Sequence, residues 1–261
     1  MSSMQESRVQ VAIRVDKLSI AAPAFNEAEG IVSVVQGWID YLSDLETMSD
    51  YEIVICNDGS KDQTGALLDA LSASNPRVRP VHHAKNQGAA AALSHAIKST
   101  RNPWVLLIDS DGQYGIETVP KLIAKLDEEP SRKAVMGVRV QKHDSSFARF
   151  GSWISGRLCN TFHGTHYRDF NCALKLVDGD VLRSLNLEAK GLNYSGEISS
   201  KLIERGIVLA EVDVEHRPRA SGRSSAQNLR TAWHRLLFVM YIGVRQFLIR
   251  QQVLQISQTS Q

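Results

Sequence analysis

Long hydrophobic runs are what this 261-residue sequence has least of. The stretch LLFVMYIGV near the C-terminus is nine residues long before Arg245 interrupts it, against roughly 20 needed to cross a bilayer. Nor does the opening segment MSSMQESRVQVAIRVDKLS carry the continuous apolar stretch or small-residue cleavage pattern of a secretory leader, so a cytoplasmic location is expected. Cysteine is scarce as well: Cys56, Cys159 and Cys172 are odd in number and scattered, without the paired spacing of a zinc site or a disulfide framework. They read as reduced structural thiols. His82, His83, His163 and His166 likewise lack the carboxylate and spacing context of a metal centre and read as structural or solvent-facing. Acidic residues vanish after Glu215, whereas Arg217, Arg219, Arg223, Arg230, Arg235, Arg245 and Arg250 follow it. The tail therefore carries about +7, and the preceding part about −5, behind a net charge of +2. Such a tail suits an anionic partner: ligand phosphates or an anionic membrane surface before nucleic acid, which is not expected.

What is present is a soluble-protein composition, 43% hydrophobic and 22% charged, sufficient for a full core. Short apolar runs at 18–23, 51–58, 78–83, 104–111 and 133–139 read as strands by length, β-branching and flanking turn residues. Segments of helical period lie between them, at 27–45, 61–74, 88–100 and 117–129. The alternation predicts an α/β fold, a mainly parallel Rossmann-like sheet with helices on both faces. Ligands of such sheets bind beyond the carboxyl ends of the strands, which selects PAFNE, NDGSKD and DSDGQ. No Gly-rich fingerprint follows the first strand, so a dinucleotide oxidoreductase is a poor reading.

NDGSKDQT has a plain reading as an Asx-rich turn capping a helix that begins near Asp62. Asp109 and Asp111 are harder to dismiss, since neighbouring carboxylates repel unless a cation or donor lies between them. Two apart on an extended segment they share a side, so both reach one divalent ion, with Gly112 allowing close approach and Gln113 adding an amide.

Together APAFNEAEGI, YEIVICNDGSKDQT, NQGAAAAL and LLIDSDGQYGIETVPKLI resemble the family 2 glycosyltransferases of the GT-A fold. Within that family the resemblance is to dolichyl- and polyprenyl-phosphate sugar synthases of the dolichol-phosphate mannosyltransferase type, over about residues 18–225. It implies a nucleotide-sugar site with Pro23, Phe25, Glu27 and Asp58 around base and ribose and Ser110 beside them, and a Mg2+ or Mn2+ ion on Asp109, Asp111 and Gln113. MGVRVQ, RFGSWISGRLCN and RPRASGRSS match later family segments and supply Arg139, Arg149 and Arg219, whose planar forks suit phosphate oxygens. Arg157, Asn160 and Ser224 match as well, while Ser225 replaces the usual lysine. YRDFNCALKL aligns Asp169, Cys172 and Lys175 with the Asp-Thr-Gln-Cys-Gly-Phe-Lys segment, with Ala173 and Leu174 replacing Gly-Phe.

Asp111, Arg139, Arg219 and Asp169 are the expected catalytic set. Many hydroxyl-acceptor relatives carry a Glu-Asp pair late in the chain, whereas here Glu197 is followed by Ile198. An acceptor phosphate is already ionised and needs no base, so the expectation is inverting transfer of a hexose from a GDP-mannose- or UDP-glucose-type donor to a polyprenyl phosphate. The alternatives are a hydroxyl acceptor and, remotely, a non-catalytic scaffold. Asp169 and Glu197 are expected to orient sugar hydroxyls or arginines, or to form buried salt bridges.

Trp233, Leu236, Leu237, Met240, Tyr241, Val244, Phe247 and Leu248 form a helical stripe. It fits docking at a membrane surface on the cytosolic face, on a membrane-embedded partner subunit, or on the protein's own core. The expected organisation is an N-terminal extension (1–17), a GT-A domain (18–225), an amphipathic helix (226–252) and a tail (253–261), with both ends frayed.

Overall fold

The computed structural model describes residues 14–141, 146–188, 193–218 and 229–251. The chain runs β1 (Lys17–Ala24), α1 (Ile31–Asp44), β2 (Asp50–Asn57), α2 (Thr64–Ser74), β3 (Val78–His82), α3 (Ala89–Lys98), β4 (Trp104–Leu107), α4 (Val119–Asp127) and β5 (Ala134–Arg139). It continues with α5 (Ser146–His163), β6 (Lys175–Asp178), α6 (Gly179–Arg183), α7 (Tyr194–Glu204), β7 (Leu209–Val214) and α8 (Leu229–Arg250). The first four helices and five strands fall where apolar periodicity places them. In α1 the buried set Ile31, Val35, Trp38, Ile39 and Leu42 recurs at the spacing of one helical face.

The strands form one sheet in the order β3-β2-β1-β4-β6-β5-β7, parallel except for β6, which runs antiparallel to both neighbours. Strand order reverses beside β1, between β2 on one edge and β4 on the other, which makes their carboxyl ends the topological switch point. β6 and β7 are not among the strands expected above. β6 is four residues long and begins with a lysine, and its place is decided by antiparallel pairing with Trp104–Leu107. β7 does show partial alternation, LAEVDV, and is legible in hindsight.

Two boundaries are corrected. β4 ends at Leu107, short of residue 111, because its pairing with β6 stops at Leu107 opposite Lys175. The chain near residue 17 is not frayed: Val15 is buried, and Arg14 donates to the carbonyls of Leu126, Glu129 and Arg132. The tail 253–261 lies outside the described residues.

A second, small apolar cluster joins α8 to α5 through Cys159, Phe170, Phe238, Val239 and Ile242. α8 therefore docks on its own domain, and of the described stripe residues read from the sequence Tyr241 packs against this cluster. Leu236, Leu237, Met240, Val244 and Phe247 of that stripe remain exposed, and α5 adds exposed Phe150, Trp153, Ile154 and Leu158. Arg245 pairs with the Glu204 carboxylate at 2.9 Å, and the Tyr241 hydroxyl donates to Glu188 at 2.6 Å. No helix among the described residues is long and apolar enough to cross a membrane.

His163, at the end of α5, stacks on Phe170, and its Nε2 is buried with no hydrogen-bond partner among the described residues. Burial first, and the Arg250 charge second, hold its pKa at about 4, below the ordinary 6.5. Unfolded chains take up a proton here that the folded protein refuses, so this contribution to stability is intact above pH 6.5 and is lost as the pH falls towards 4. The urea midpoint is expected to drop between pH 7 and pH 4.5, and to drop less in His163→Phe, which keeps the stack; equal slopes would show that His163 does not titrate as described.

Candidate active site

The loop after β1 is built by the loop after β2. The amides of Asn26, Glu27 and Ala28 donate to Ser60 Oγ, Thr64 Oγ1 and Asp62 Oδ2 at 2.9, 2.9 and 3.1 Å. In return the Lys61 amide donates to Asn26 Oδ1, and Asn26 takes the left-handed conformation (φ 56°) that an Asx residue tolerates. The helix expected near Asp62 starts at Thr64, whose amide and hydroxyl both donate to Asp62 Oδ1. Pro23 and Glu27 are half-buried and Phe25 exposes 42% of its surface at this loop.

Asp58 is 1% exposed and turns inward. Its carboxylate accepts from His83 Nδ1 at 2.7 Å and from the amides of Gln87 and Gly88 at 2.8 and 2.7 Å. The residue assigned to base and ribose thus shapes the wall of the site, by pinning the loop before α3. Gly59 permits the contact: at φ +64°, a Cβ there would sit 2.5 Å from the backbone at Lys85 and Asn86.

The acidic pair lies in a loop, not on an extended strand as expected, so its geometry is set by tertiary partners. Ser110 Oγ donates to the Pro23 carbonyl at 2.7 Å and ties the loop to the end of β1. Asp109 Oδ1 accepts from the Tyr194 hydroxyl at 2.6 Å, and Asp111 Oδ1 accepts from the Gln113 amide at 3.1 Å. Gly112 turns the chain at φ 74°. Gln113 Nε2 donates to the Arg217 carbonyl at 3.2 Å, while the Arg217 amide donates to the Gln113 carbonyl at 2.8 Å. The basic segment is thereby moored beside the acidic loop, with Arg217 paired to Glu117. Two carboxylates and an amide oxygen are a hard donor set, and they fit Mg2+ or Mn2+.

Behind the loop lies a buried charge cluster. Arg139 Nε and Nη2 reach Asp169 Oδ2 and Oδ1 at 2.7 and 3.0 Å, with Asp169 3% exposed. The fork that the sequence reserves for phosphate is thus turned onto a carboxylate. Lys175 is fully buried beside it and donates to the Cys172 carbonyl. Desolvation, partly offset by Cys172 and Asp169, lowers its pKa to about 8. Glu197 is also fully buried; its Oε1 accepts from the Glu188 amide at 2.7 Å and pairs with Lys201 Nζ at 2.8 Å. Of the remaining arginines, Arg149 is exposed on α5, and Arg219 lies outside the described residues with Ser224 and Ser225. The sequence carries no signal for Tyr194 as a partner of Asp109, because 85 residues separate them.

A mostly parallel sheet whose switch point carries an acidic loop is the arrangement of the GT-A class of nucleotide-sugar transferases, and known relatives point to the same class. A family model described as Glycosyl transferase family 2 matches residues 19–183, and the chain belongs to that family. Undecaprenyl-phosphate 4-deoxy-4-formamido-L-arabinose transferase of Shewanella sediminis is 26% identical over 212 residues, 80% of this chain and 62% of that protein. This chain thus spans less than two thirds of that relative's length. Glucosyl-3-phosphoglycerate synthase of Mycobacterium tuberculosis, solved with phosphoglyceric acid, superposes with a TM-score of 0.70 at 18% identity, covering 88% of this chain and 81% of that one. The same enzyme with Mn2+, UDP-glucose and phosphoglyceric acid gives 0.68 at 18% identity, covering 89% and 80%. At such identity the likeness is one of fold.

If Tyr194 aims Asp109 at the metal, Tyr194→Phe weakens Mn2+ about 10- to 100-fold, as loss of an outer-shell partner does, without unfolding the protein. Titration with UDP or GDP present, followed by the free Mn2+ paramagnetic resonance signal, checks this; unchanged affinity would free Tyr194 of that role.

Proposed function

We propose that the protein transfers a hexose, with inversion, from a nucleoside-diphosphate donor of the UDP-glucose or GDP-mannose type to a polyprenyl phosphate. The observation that carries this reading is the engagement of both carboxylates otherwise available as a base. Glu197 has no access to solvent and faces Lys201, and Asp169 is gripped by Arg139. A hydroxyl nucleophile needs its proton removed, whereas a phosphate arrives ionised and needs only orientation. The name of the Shewanella relative, an undecaprenyl-phosphate sugar transferase, is in keeping with such an acceptor.

In this mechanism the loops after β1 and β2 hold the nucleotide, with Pro23, Phe25 and Glu27 facing base and ribose and Asp58 fixing the wall. Asp109, Asp111 and Gln113 hold Mg2+ or Mn2+, which when bound neutralises the departing diphosphate. Arg139 and Asp169 act as one ion-paired unit that keeps the sugar side of the site rigid, and Arg149 and Arg219 serve the phosphates. The exposed apolar side chains of α5 and α8 seat the protein on the membrane holding the lipid acceptor, on its cytosolic face, directly or through a membrane-embedded subunit.

With Mn2+, labelled UDP- and GDP-sugars and polyprenyl phosphate, label is expected in the organic phase. Asp111→Asn is expected to lose at least about 100-fold in turnover, whereas Asp169→Asn and Glu197→Gln should fall short of the ~100- to 10,000-fold loss of a general base. Label entering only hydroxyl acceptors would move the reading to a glycolipid or polysaccharide transferase.

Met240→Glu and Phe247→Glu, both on the outward face of α8, test the seating. Burying such a side chain contributes about 1.5–3 kcal/mol, so each change is expected to weaken sedimentation with anionic liposomes roughly tenfold at unchanged melting temperature. Full-length protein that ignores both liposomes and membrane extracts would leave that face without a membrane role.

A further inference from the structure

Cys56, at the end of β2, His83, just after β3, and His95, in α3, converge on one point. Cys56 Sγ lies 3.6 Å from His83 Nε2, which lies 3.2 Å from His95 Nδ1, and all three atoms fall within 4.8 Å of one another. Tetrahedral coordination with bonds of about 2.3 Å to sulfur and about 2.0–2.1 Å to nitrogen sets ligand atoms about 3.6 Å (S to N) and about 3.3 Å (N to N) apart. The two observed separations match those spacings. The imidazole centroids are 5.3 Å apart with planes inclined by 16°. With their nitrogens only 3.2 Å apart, the rings therefore meet edge to edge, as two ligands of one ion do.

The outer partners agree. His83 Nδ1 is 2.7 Å from Asp58 Oδ1, and a buried carboxylate can only accept there, so the ring proton sits on Nδ1 and Nε2 presents its lone pair to the cluster. A carboxylate behind a histidine in this way is the usual support of a metal-bound imidazole. His95 is exposed, so its Nε2 proton can face water while Nδ1 faces inward.

We propose that Cys56, His83 and His95 form a second metal site for a borderline divalent ion of the zinc class, with its fourth position open to water. One thiolate and two imidazoles suit such an ion and are poor ligands for Mg2+ or Mn2+, so this site and the acidic loop select different metals. Metal-free, Cys56 is a thiol: burial first, then the Asp58 charge, push its pKa up to about 12. Binding breaks the S–H bond, forms the sulfur–metal bond and releases the proton to solvent. The ion fastens the ends of β2 and β3 to α3 and holds His83 against Asp58, the carboxylate that also fixes the amides of Gln87 and Gly88. The site therefore stiffens one wall of the proposed nucleotide pocket from outside it.

Cobalt(II) titration of chelator-treated full-length protein, without donor or lipid, tests this independently of the transferase reading. One equivalent is expected to bring up a thiolate-to-cobalt charge-transfer band with tetrahedral d–d bands, and Zn2+ should abolish both. Asp111→Asn, in the acidic loop, is expected to keep the bands. His95→Ala changes an exposed residue and is expected to weaken cobalt by at least about the 10- to 100-fold typical of losing even an outer-shell partner. Cys56→Ser is expected to remove the charge-transfer band. No thiolate band in wild-type protein at millimolar cobalt, or a band undiminished in both His95→Ala and Cys56→Ser, overturns the proposal and leaves the three side chains as a hydrogen-bonded cluster.

Discussion

Burial of β1 on both edges and both faces is the constraint on which the rest of the structure depends. Its backbone is consumed by parallel ladders to β2 and β4, and Leu18, Ser19, Ile20, Ala21 and Ala22 are fully buried. A strand so enclosed has no room for chemistry along its length, so polar function is pushed beyond its carboxyl end. There the loop of residues 25–30 leaves amides that need partners. The loop after β2 supplies them from Ser60, Asp62 and Thr64, and Ser110 secures the acidic loop to the same strand end. The loops beyond the strand end and the sheet are thus consequences of one packing problem.

The second half of the site rests on buried charge. Arg139–Asp169 and Glu197–Lys201 place two salt bridges in largely dry surroundings, with Lys175 nearby. Removing ions from water costs several kcal/mol each, and such pairs seldom contribute net stability. Their value is geometric: they fix α7, whose Tyr194 aims at Asp109, and the end of β5 against the segment before β6. That arrangement separates the carboxylates of Asp169 and Glu197, held by Arg139 and Lys201, from those of the acidic loop.

The legible parts of the sequence are those whose signal is local. Strand and helix periodicity placed the first nine elements to within a few residues, and the Asp109–Asp111 pair stood out because repulsion between neighbouring carboxylates demands an explanation. The illegible parts are those whose partners are distant. Asp58 reads as a ligand-facing turn residue until His83 and the Gln87 and Gly88 amides are seen to surround it. Arg139 reads as a phosphate fork until Asp169 is found 2.7 Å away. The stripe on α8 is real, yet periodicity cannot tell which apolar face meets the core; Phe238, Val239 and Ile242 were chosen by α5.

Local sequence specifies the α/β alternation, the acidic pair, the cationic tail and the missing Asp after Glu197, since each depends on residues adjacent or one helical turn apart. Tertiary structure alone decided the antiparallel insertion of β6, the inward turn of Asp58 and Arg139, and the meeting of Cys56, His83 and His95. These depend on which strand ends and helices are brought side by side. Sheet pairing settles that over the whole domain, because a hydrogen-bonded edge accepts whichever strand fits its register, however far away in the chain it lies.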